Sequence, residues 1–592
     1  MKSQMKMVAA ALLAASLVGS YAYAGAPPPP PKKKQVAKKP PKPTVEDQIN
    51  ALRQEFQGQI DTLKSDLAAK DAHLKQAQQT ANDAQAAAQK AQADATAQQS
   101  ALTENAAAVS TLQSTVTDMK TVNATVVSSL TDEATSIKKS IASPDVLHYK
   151  GITLSPAGSF LAAETVWRSG ATGGDINTPF TGIPLDHAEA AGLSEFFGSG
   201  RQSRLAIKAI GKLDNVTMTG YYEMDFLSAG VTSNNNQSNS YTLRQRQLWA
   251  DAKLHDGWDF SGGQGWSLAT ETTQGLTRGS EILPATVDAQ YTAGFVWARQ
   301  YSFRVSKDLS KKFFAGASLE NAETLNPAGQ NLPTNLLIGS PGVGGGLYNL
   351  NANYSFNMTP DFVAKIAVDP GWGHWELFGI ARSFRDRIYP TTGTPYNYSV
   401  WGGGIGGSMR GSLAHKKVTV GLKGLYGDGV GRYGSSTIAD VTLRPNADIS
   451  PLHGFSALST VELNPNPRLM VYLNYGGDYI GRDYAITPAG THVGYGTYTT
   501  NMTGCNVEVK STGSFNPAAP SNCGANNKDV QEFTAGYWYN MYSGPKGRLR
   551  YGLQYAWFQR NLWSGAGGTA NPGGGAKGTD NMFWTSFRYY LP

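Results

Sequence analysis

From about residue 150 onward the chain is a succession of short segments in which greasy and polar side chains alternate. Leu549, Tyr551, Leu553, Tyr555 and Trp557 interleave with Arg550, Gly552, Gln554 and Ala556. Successive side chains on a strand point to opposite faces, so each segment has one apolar face and one polar or small face. The pattern recurs about sixteen times with almost no helical period between, and aromatic residues gather at segment ends. A soluble propeller or sandwich would use shorter strands and lack the aromatic bands. A barrel in a bilayer turns its apolar face to lipid and its polar face to water. The expected fold is an all-β transmembrane β-barrel of about 16 antiparallel strands over 150–592, preceded by a long α-helical coiled coil.

Composition agrees. Only 16% of residues are charged, against a typical ~25%, and the 66 glycines exceed the usual ~7%. No apolar run of helix-spanning length follows the N-terminus, and a lone helix would need ~20 such residues. A membrane protein built this way crosses with strands. Removing Lys2 and Lys6 with a leader lowers the net charge from +7 to +5, too little to argue for nucleic acid.

Lys2 and Lys6 precede an apolar run from Met7 to Val18, and Ala22-Tyr23-Ala24 supplies small residues for a peptidase. Residues 1–24 are expected to be a signal peptide cleaved after Ala24. Export implies an oxidising compartment, and Cys505 and Cys523 are expected to form one disulfide closing a loop, with roughly 3 kcal/mol of loop ordering. No histidine lies near enough to make them a zinc site.

Residues 25–45 form a Pro- and Lys-rich spacer, with Pro27 to Pro31 consecutive. Proline stiffens such a linker and lysine solvates it; contact with anionic peptidoglycan is the sharper reading. Residues 46–142 change character. Ile60, Leu67, Leu74, Ala81, Ala88, Ala95, Leu102, Val109, Val116, Asn123, Leu130 and Ile137 fall at seven-residue intervals. A second seam, offset by three, runs through Leu63, Ala77, Ala84, Ala91, Leu112, Met119 and Val126. Two seams spaced three and four apart define a coiled coil, and a polar residue at a core position such as Asn123 fixes register. Unbroken, the rod would be about 140 Å long.

Strands are expected at 157–167, 203–213, 215–227, 241–254, 257–270, 298–308, 312–321, 360–369, 373–384, 399–413, 415–427, 453–464, 467–480, 530–543, 546–561 and 581–591. Short turns alternate with long loops, and segment 347–357 is assigned to a long loop. Short turns belong on the periplasmic side, and sixteen strands leave an aqueous lumen.

In the third strand Met218, Tyr222, Met224 and Phe226 alternate with Thr217, Thr219, Tyr221, Glu223 and Asp225. Acids facing lipid are costly, so Glu223 and Asp225 are expected to face the bore. Arg244 and Arg246 share one face of the fourth strand, whereas Arg299 and Arg304 fall on opposite faces of the sixth. Arg204, Arg382, Arg385, Arg550 and Arg588 add basic groups. Opposed rows of charge create a transverse field that orients polar solutes; the competing reading is salt bridges across the inner wall. The loop after strand five carries Glu271, Arg278, Glu281 and Asp288, and folding inward it would constrict the pore. The sequence has no Gly-x-Ser-x-Gly and no His-Glu-x-x-His, so no enzyme and no cofactor or metal is expected.

Several stretches carry a resemblance: Gly200-Arg201-Gln202-Ser203-Arg204-Leu205, Gly220-Tyr221-Tyr222-Glu223-Met224-Asp225-Phe226, Thr242-Leu243-Arg244-Gln245-Arg246, Gly262-Gly263-Gln264-Gly265-Trp266-Ser267-Leu268, Arg299-Gln300, Pro360-Asp361-Phe362-Val363-Ala364-Lys365 and Trp372-Gly373-His374. In this order and spacing the chain resembles the DcaP-like family of trimeric outer-membrane porins. The resemblance implies a sixteen-stranded barrel, a homotrimer and a periplasmic coiled coil. It also implies passive uptake of small polar or anionic solutes such as dicarboxylates. The rod and spacer are longer than that family suggests, and the chain ends on Pro592 rather than an aromatic. A structural tether from outer membrane to peptidoglycan, with the barrel as anchor, is the alternative.

Overall fold

The computed structural model describes residues 102–138, 146–178, 180–227, 242–325, 327–339, 355–508, 523–567 and 575–592. The expected leader, the Pro/Lys spacer, the first part of the rod and most of segment 347–357 lie outside them. The chain divides into two compact units, Met1–Leu130 and Thr131–Pro592. Residues 102–138 are one continuous helix. Its apolar residues Leu102, Val109, Leu112, Val116, Met119, Val126, Leu130 and Ile137 are all exposed.

The rest is a closed antiparallel barrel of sixteen strands. They are β1 (Phe160–Arg168), β2 (Arg204–Leu213), β3 (Val216–Asp225), β4 (Arg244–Leu254), β5 (Trp258–Trp266), β6 (Arg299–Asp308), β7 (Phe313–Glu320) and β8 (Asp361–Val368). There follow β9 (Gly373–Ile388), β10 (Tyr396–Leu413), β11 (Val418–Asp428), β12 (His453–Asn466), β13 (Leu469–Ile480), β14 (Asn527–Gly544), β15 (Gly547–Leu562) and β16 (Lys577–Tyr590). Each strand pairs with its sequence neighbour, and β16 returns to β1 with Phe583 opposite Trp167. Short strands Ile152–Ser155 and Glu195–Ser199 extend the β1–β2 seam below and above.

Alternation drives this closure. On β16, Phe583 and Phe587 are exposed while Trp584 and Ser586, on the other face, are wholly buried. The large apolar side chains are therefore on the outside, the inverse of a soluble barrel and the arrangement lipid favours. Exposed Trp258, Phe313, Trp372, Trp375, Tyr539 and Tyr542 ring the short-turn end, where amphipathic rings suit the membrane interface.

Seven connections, from β2–β3 to β14–β15, have two to four residues and lie at one end of the barrel. The opposite end carries the long loops. The β9–β10 loop, 389–395, is the short exception, because those two strands run to sixteen and eighteen residues and themselves project beyond their neighbours. Three loops, 169–203, 267–298 and 429–452, turn into the bore. Ile176, Phe180, Ile183, Val287, Ala293, Ile438 and Leu452 pack there against inward-facing Val166, Tyr472, Val530, Trp538, Phe558 and Trp584. The main core thus sits inside the cylinder, where the sequence suggested an aqueous lumen narrowed by one inward loop.

Candidate functional site: the bore and its inward loop

Loop 267–298 starts from the top of β5, whose Gly263 has φ of +124°. A side chain there would strike the Leu248 carbonyl, so glycine lets the two backbones approach closely at the strand end. Inside the bore the loop donates its backbone to the opposite wall. Val287 N–H reaches Gln554 Oε1 at 2.6 Å, Ala293 N–H reaches Glu532 Oε2 at 2.6 Å and Gly294 N–H reaches Asp478 Oδ2 at 3.2 Å. Trp538 donates to the Ala285 carbonyl at 2.7 Å. Val296 bridges to Gly434 of loop 429–452, and Ser435 donates to the Phe295 carbonyl.

The predicted charged residues fall into three groups. In the first, Arg246 lies between Glu223 and Asp225 and is 1% exposed. Arg244 donates to Asp225 at 2.6 Å. Gln290, on the loop, accepts from both Arg246 and Arg299 at 3.1 Å. Arg299, at the loop end of β6, lies against both Trp266 and Trp297, 5.3 and 5.7 Å from their rings. Arg204 lies over the Phe160 ring at 5.1 Å, and Arg588 lies at 5.2 Å from the same ring. Arg588 donates to Glu164 at 2.6 Å and to Gln202 at 3.0 Å. Among the described residues no carboxylate comes within ion-pair reach of Arg204 or Arg299. The Arg204, Arg244, Arg246, Arg299 and Arg588 guanidiniums are met by Glu164, Glu223 and Asp225, and Asp288 of the loop lines the same cavity as Arg204, Arg246 and Arg588.

The second group seats the first half of the loop. Glu271 accepts from Arg410 and Lys423, both at 3.0 Å. Burial works against the Glu271 charge, but Lys423 and Arg410 outweigh it and hold the carboxyl below its ordinary value. Thr272 donates through N–H and Oγ1 to Glu376, which also meets Lys365 at 2.7 Å and His374 at 2.9 Å. Arg304 faces Glu281 at 3.6 Å, and Arg278 donates to Ser302 and to the Gly263 carbonyl. In the third group Arg382 donates to Asp361 at 3.1 Å and to Asp440 of loop 429–452 at 2.8 Å.

Asp288 sits beneath the loop, accepting from Thr178 at 2.7 Å and Gln554 at 3.1 Å. Burial pushes its carboxyl above the ordinary value, since no base pairs with it. It lines one cavity with Arg204, Arg246 and Arg588, while Asp478 and Glu532 accept from the loop backbone on the wall beyond. Arg550 faces inward near the short turns, over Trp538 at 4.6 Å. Arg385 is the exception, because its position on β9 has the outward parity of Leu377, Gly379 and Ala381. Cys505 and Cys523 are disulfide-bonded in the β13–β14 loop.

Sequence reasoning passed over Lys365, Lys423, Arg410, His374 and Glu376. The signal was present: Asp361, Val363, Lys365 and Ala367 occupy the face opposite Phe362, Ala364 and Ile366, so the argument applied to Glu223 holds for Lys365 too. Asp478 and Glu532 became significant only once the loop met them.

A closed sixteen-stranded barrel with a long loop turned into its bore has the porin-type architecture. The particular likeness is to the outer membrane channel DcaP of Acinetobacter baumannii. It has a TM-score of 0.50 at 13% identity, over 75% of this chain and 99% of that one. An anion-selective porin from Comamonas acidovorans (TM-score 0.37, 12% identity, 74% and 99% covered) is also similar. So is OmpT, an outer membrane protein of Vibrio cholerae (0.36, 11%, 76% and 100%). The barrel thus has the DcaP-like porin fold; at these identities the likeness is one of fold. No protein-family model and no curated protein matches the chain.

Proposed function

We propose that this chain is a passive diffusion channel of the bacterial outer membrane for small hydrophilic solutes, with a preference for anions such as dicarboxylates. The single observation that carries the preference is the uncompensated pair Arg204 and Arg299. Five guanidiniums against four carboxylates, of which Asp288 is held above its ordinary value by burial, leave that side of the bore positive. A guanidinium offers a planar fork that matches a carboxylate. The acids Asp478 and Glu532 lie across the loop, which supports a transverse field in the bore. No cofactor is needed, because transport follows the solute gradient.

The channel works as a homotrimer in outer-membrane lipid, with the heptad segment 46–142 in the periplasm. The exposed apolar stripe of helix 102–138 favours self-association, since a solvated helix keeps few such residues. The same stripe favours a second role as a tether, in which rod and spacer reach peptidoglycan.

Planar-bilayer recording in a salt gradient tests the channel. The expected reversal potential has the sign of anion preference. The double variant Arg204→Gln/Arg299→Gln moves it toward zero or beyond. A cation-selective wild type, or a folded protein that conducts nothing, overturns the proposal.

A further inference from the structure

We propose that His374 is a proton-operated catch for the first half of loop 267–298, closed while the imidazole carries both protons and loosened when it carries one. The inference deepens the channel reading and rests on it for its consequence, a bore whose width responds to pH.

His374 stands at the short-turn end of β9 and is 4% exposed. Its ring lies between two carboxylates. Nδ1 meets Asp369 Oδ1 of the β8–β9 turn, and Nε2 lies 2.9 Å from Glu376 Oε1. A carboxylate only accepts, and a neutral imidazole has a single N–H. Only the doubly protonated ring donates to both acids.

The same two acids hold the loop. Asp369 Oδ2 accepts from Gly275 N–H at 3.1 Å, and Glu376 Oε1 accepts from Thr272 N–H at 3.0 Å. The Thr272 hydroxyl lies 2.7 Å from Glu376 Oε1, 2.7 Å from the Gly275 carbonyl and 3.1 Å from His374 Nε2. It has one proton to give. Once Nε2 is bare, its lone pair stands against the Glu376 oxygen. If the Thr272 hydroxyl turns to cover that nitrogen, it abandons Glu376 and the Gly275 carbonyl. By either route the seat loses a hydrogen bond. Its stabilisation is therefore complete at low proton cost and is lost as rising pH strips the second proton.

Neighbouring charges do not replace the ring. On β8, Lys365 meets Glu376 at 2.7 Å and donates to the Thr270 carbonyl at 2.8 Å. Arg410, opposite His374 on β10, is taken up by Glu271 and by Glu462 of β12, both at 3.0 Å. Lys423 on β11 also goes to Glu271. Among the described residues no base other than His374 forms an ion pair with Asp369. The residue after Gly275 is Leu276, which is 2% exposed and packs with Phe314 of β7 and Ala367 of β8. Lifting this part of the loop would uncover it.

The test uses the full chain in detergent, with Leu276→Cys labelled by a water-soluble maleimide. Gln274→Cys, at an exposed position of the same loop, is the reference for thiol reactivity at each pH. The native cysteines are paired and stay silent. The labelling ratio of the two variants is expected to rise about tenfold, the worth of one charge-assisted hydrogen bond, between about pH 6 and about pH 9. Adding His374→Gln is expected to make the ratio flat. Adding Asp369→Asn is expected to shrink the step, because an amide can donate to an unprotonated Nδ1. Heat-modifiable migration reports that each variant is folded, and Asp369→Asn carries the test if His374→Gln is not. A flat ratio without these changes overturns the proposal. So does a step that survives His374→Gln, which would belong to Lys365 or Lys423, or one that Asp369→Asn leaves at full size. Labelling needs no conduction, so the two readings separate. A labelling step with constant single-channel conductance keeps the catch and removes the loop as the constriction.

Discussion

Arg246 shows what a single charge does inside this barrel. Its guanidinium is the shared counter-ion of Glu223 and Asp225, and all three are buried. Removing one member leaves carboxylates uncompensated, a loss of about 3–5 kcal/mol. Arg246→Ala is therefore expected to unfold at lower temperature in detergent, as read by heat-modifiable migration. Among the described residues Arg299 meets no carboxylate, so Arg299→Gln is expected to leave that temperature nearly unchanged while moving ion preference. At this scale the sequence was informative where lipid forbids a charge. Glu223 and Asp225 on alternating β3 could face only inward. It was silent on which inward charges pair. Arg246 and Asp225 are twenty-one residues apart in sequence, and the Glu271–Lys423 contact spans 152.

At the scale of elements, loop 267–298 behaves as a strut seated by a few fixed points. Gly294 is one of them. Its φ is +78°, and a side chain there would collide with the Ala457 carbonyl oxygen. Gly294→Ala is expected to unseat the loop at a strain of about 1–3 kcal/mol and to raise single-channel conductance. Glu271 is another, and its contribution depends on pH. Lysine and arginine hold its carboxyl below the ordinary 4.5. The seating is thus complete above that value and is lost as pH falls through the lowered one. Conductance is expected to become noisier in strong acid, and Glu271→Gln to show that noise already at neutral pH. Unchanged traces in both variants would mean that the loop does not constrict the pore. The strands themselves were legible because period two is a local signal. β9 and β10 extend further than expected, to 388 and back to 396, because above the membrane band the outward face turns to Arg385, Arg387 and Asn397 and loses its apolar mark. The inward course of the loop was beyond local reading, since its anchors Asp478 and Glu532 lie 184 and 239 residues away.

For the whole molecule the question is how barrel and rod divide the work. The barrel closes on itself through β1 and β16, so its hydrogen bonding needs nothing from the N-terminal segment. The helix is the opposite case. From Leu102 to Ile137 its apolar residues are exposed at intervals of three, four and seven, and a lone helix gains little by keeping them there. Asn123 falls where a polar residue costs stability and fixes partner number. Asn123→Ile is accordingly expected to raise the melting temperature of the helical signal while broadening the range of oligomers seen by analytical ultracentrifugation. A chain lacking 26–142 is expected to conduct with unchanged unitary conductance and to lose association with isolated cell wall. If the shortened chain folds yet conducts nothing, the rod belongs to the pore. If it conducts and still sediments with the wall, the attachment lies beyond residue 142, in the barrel or the segment that leads into it.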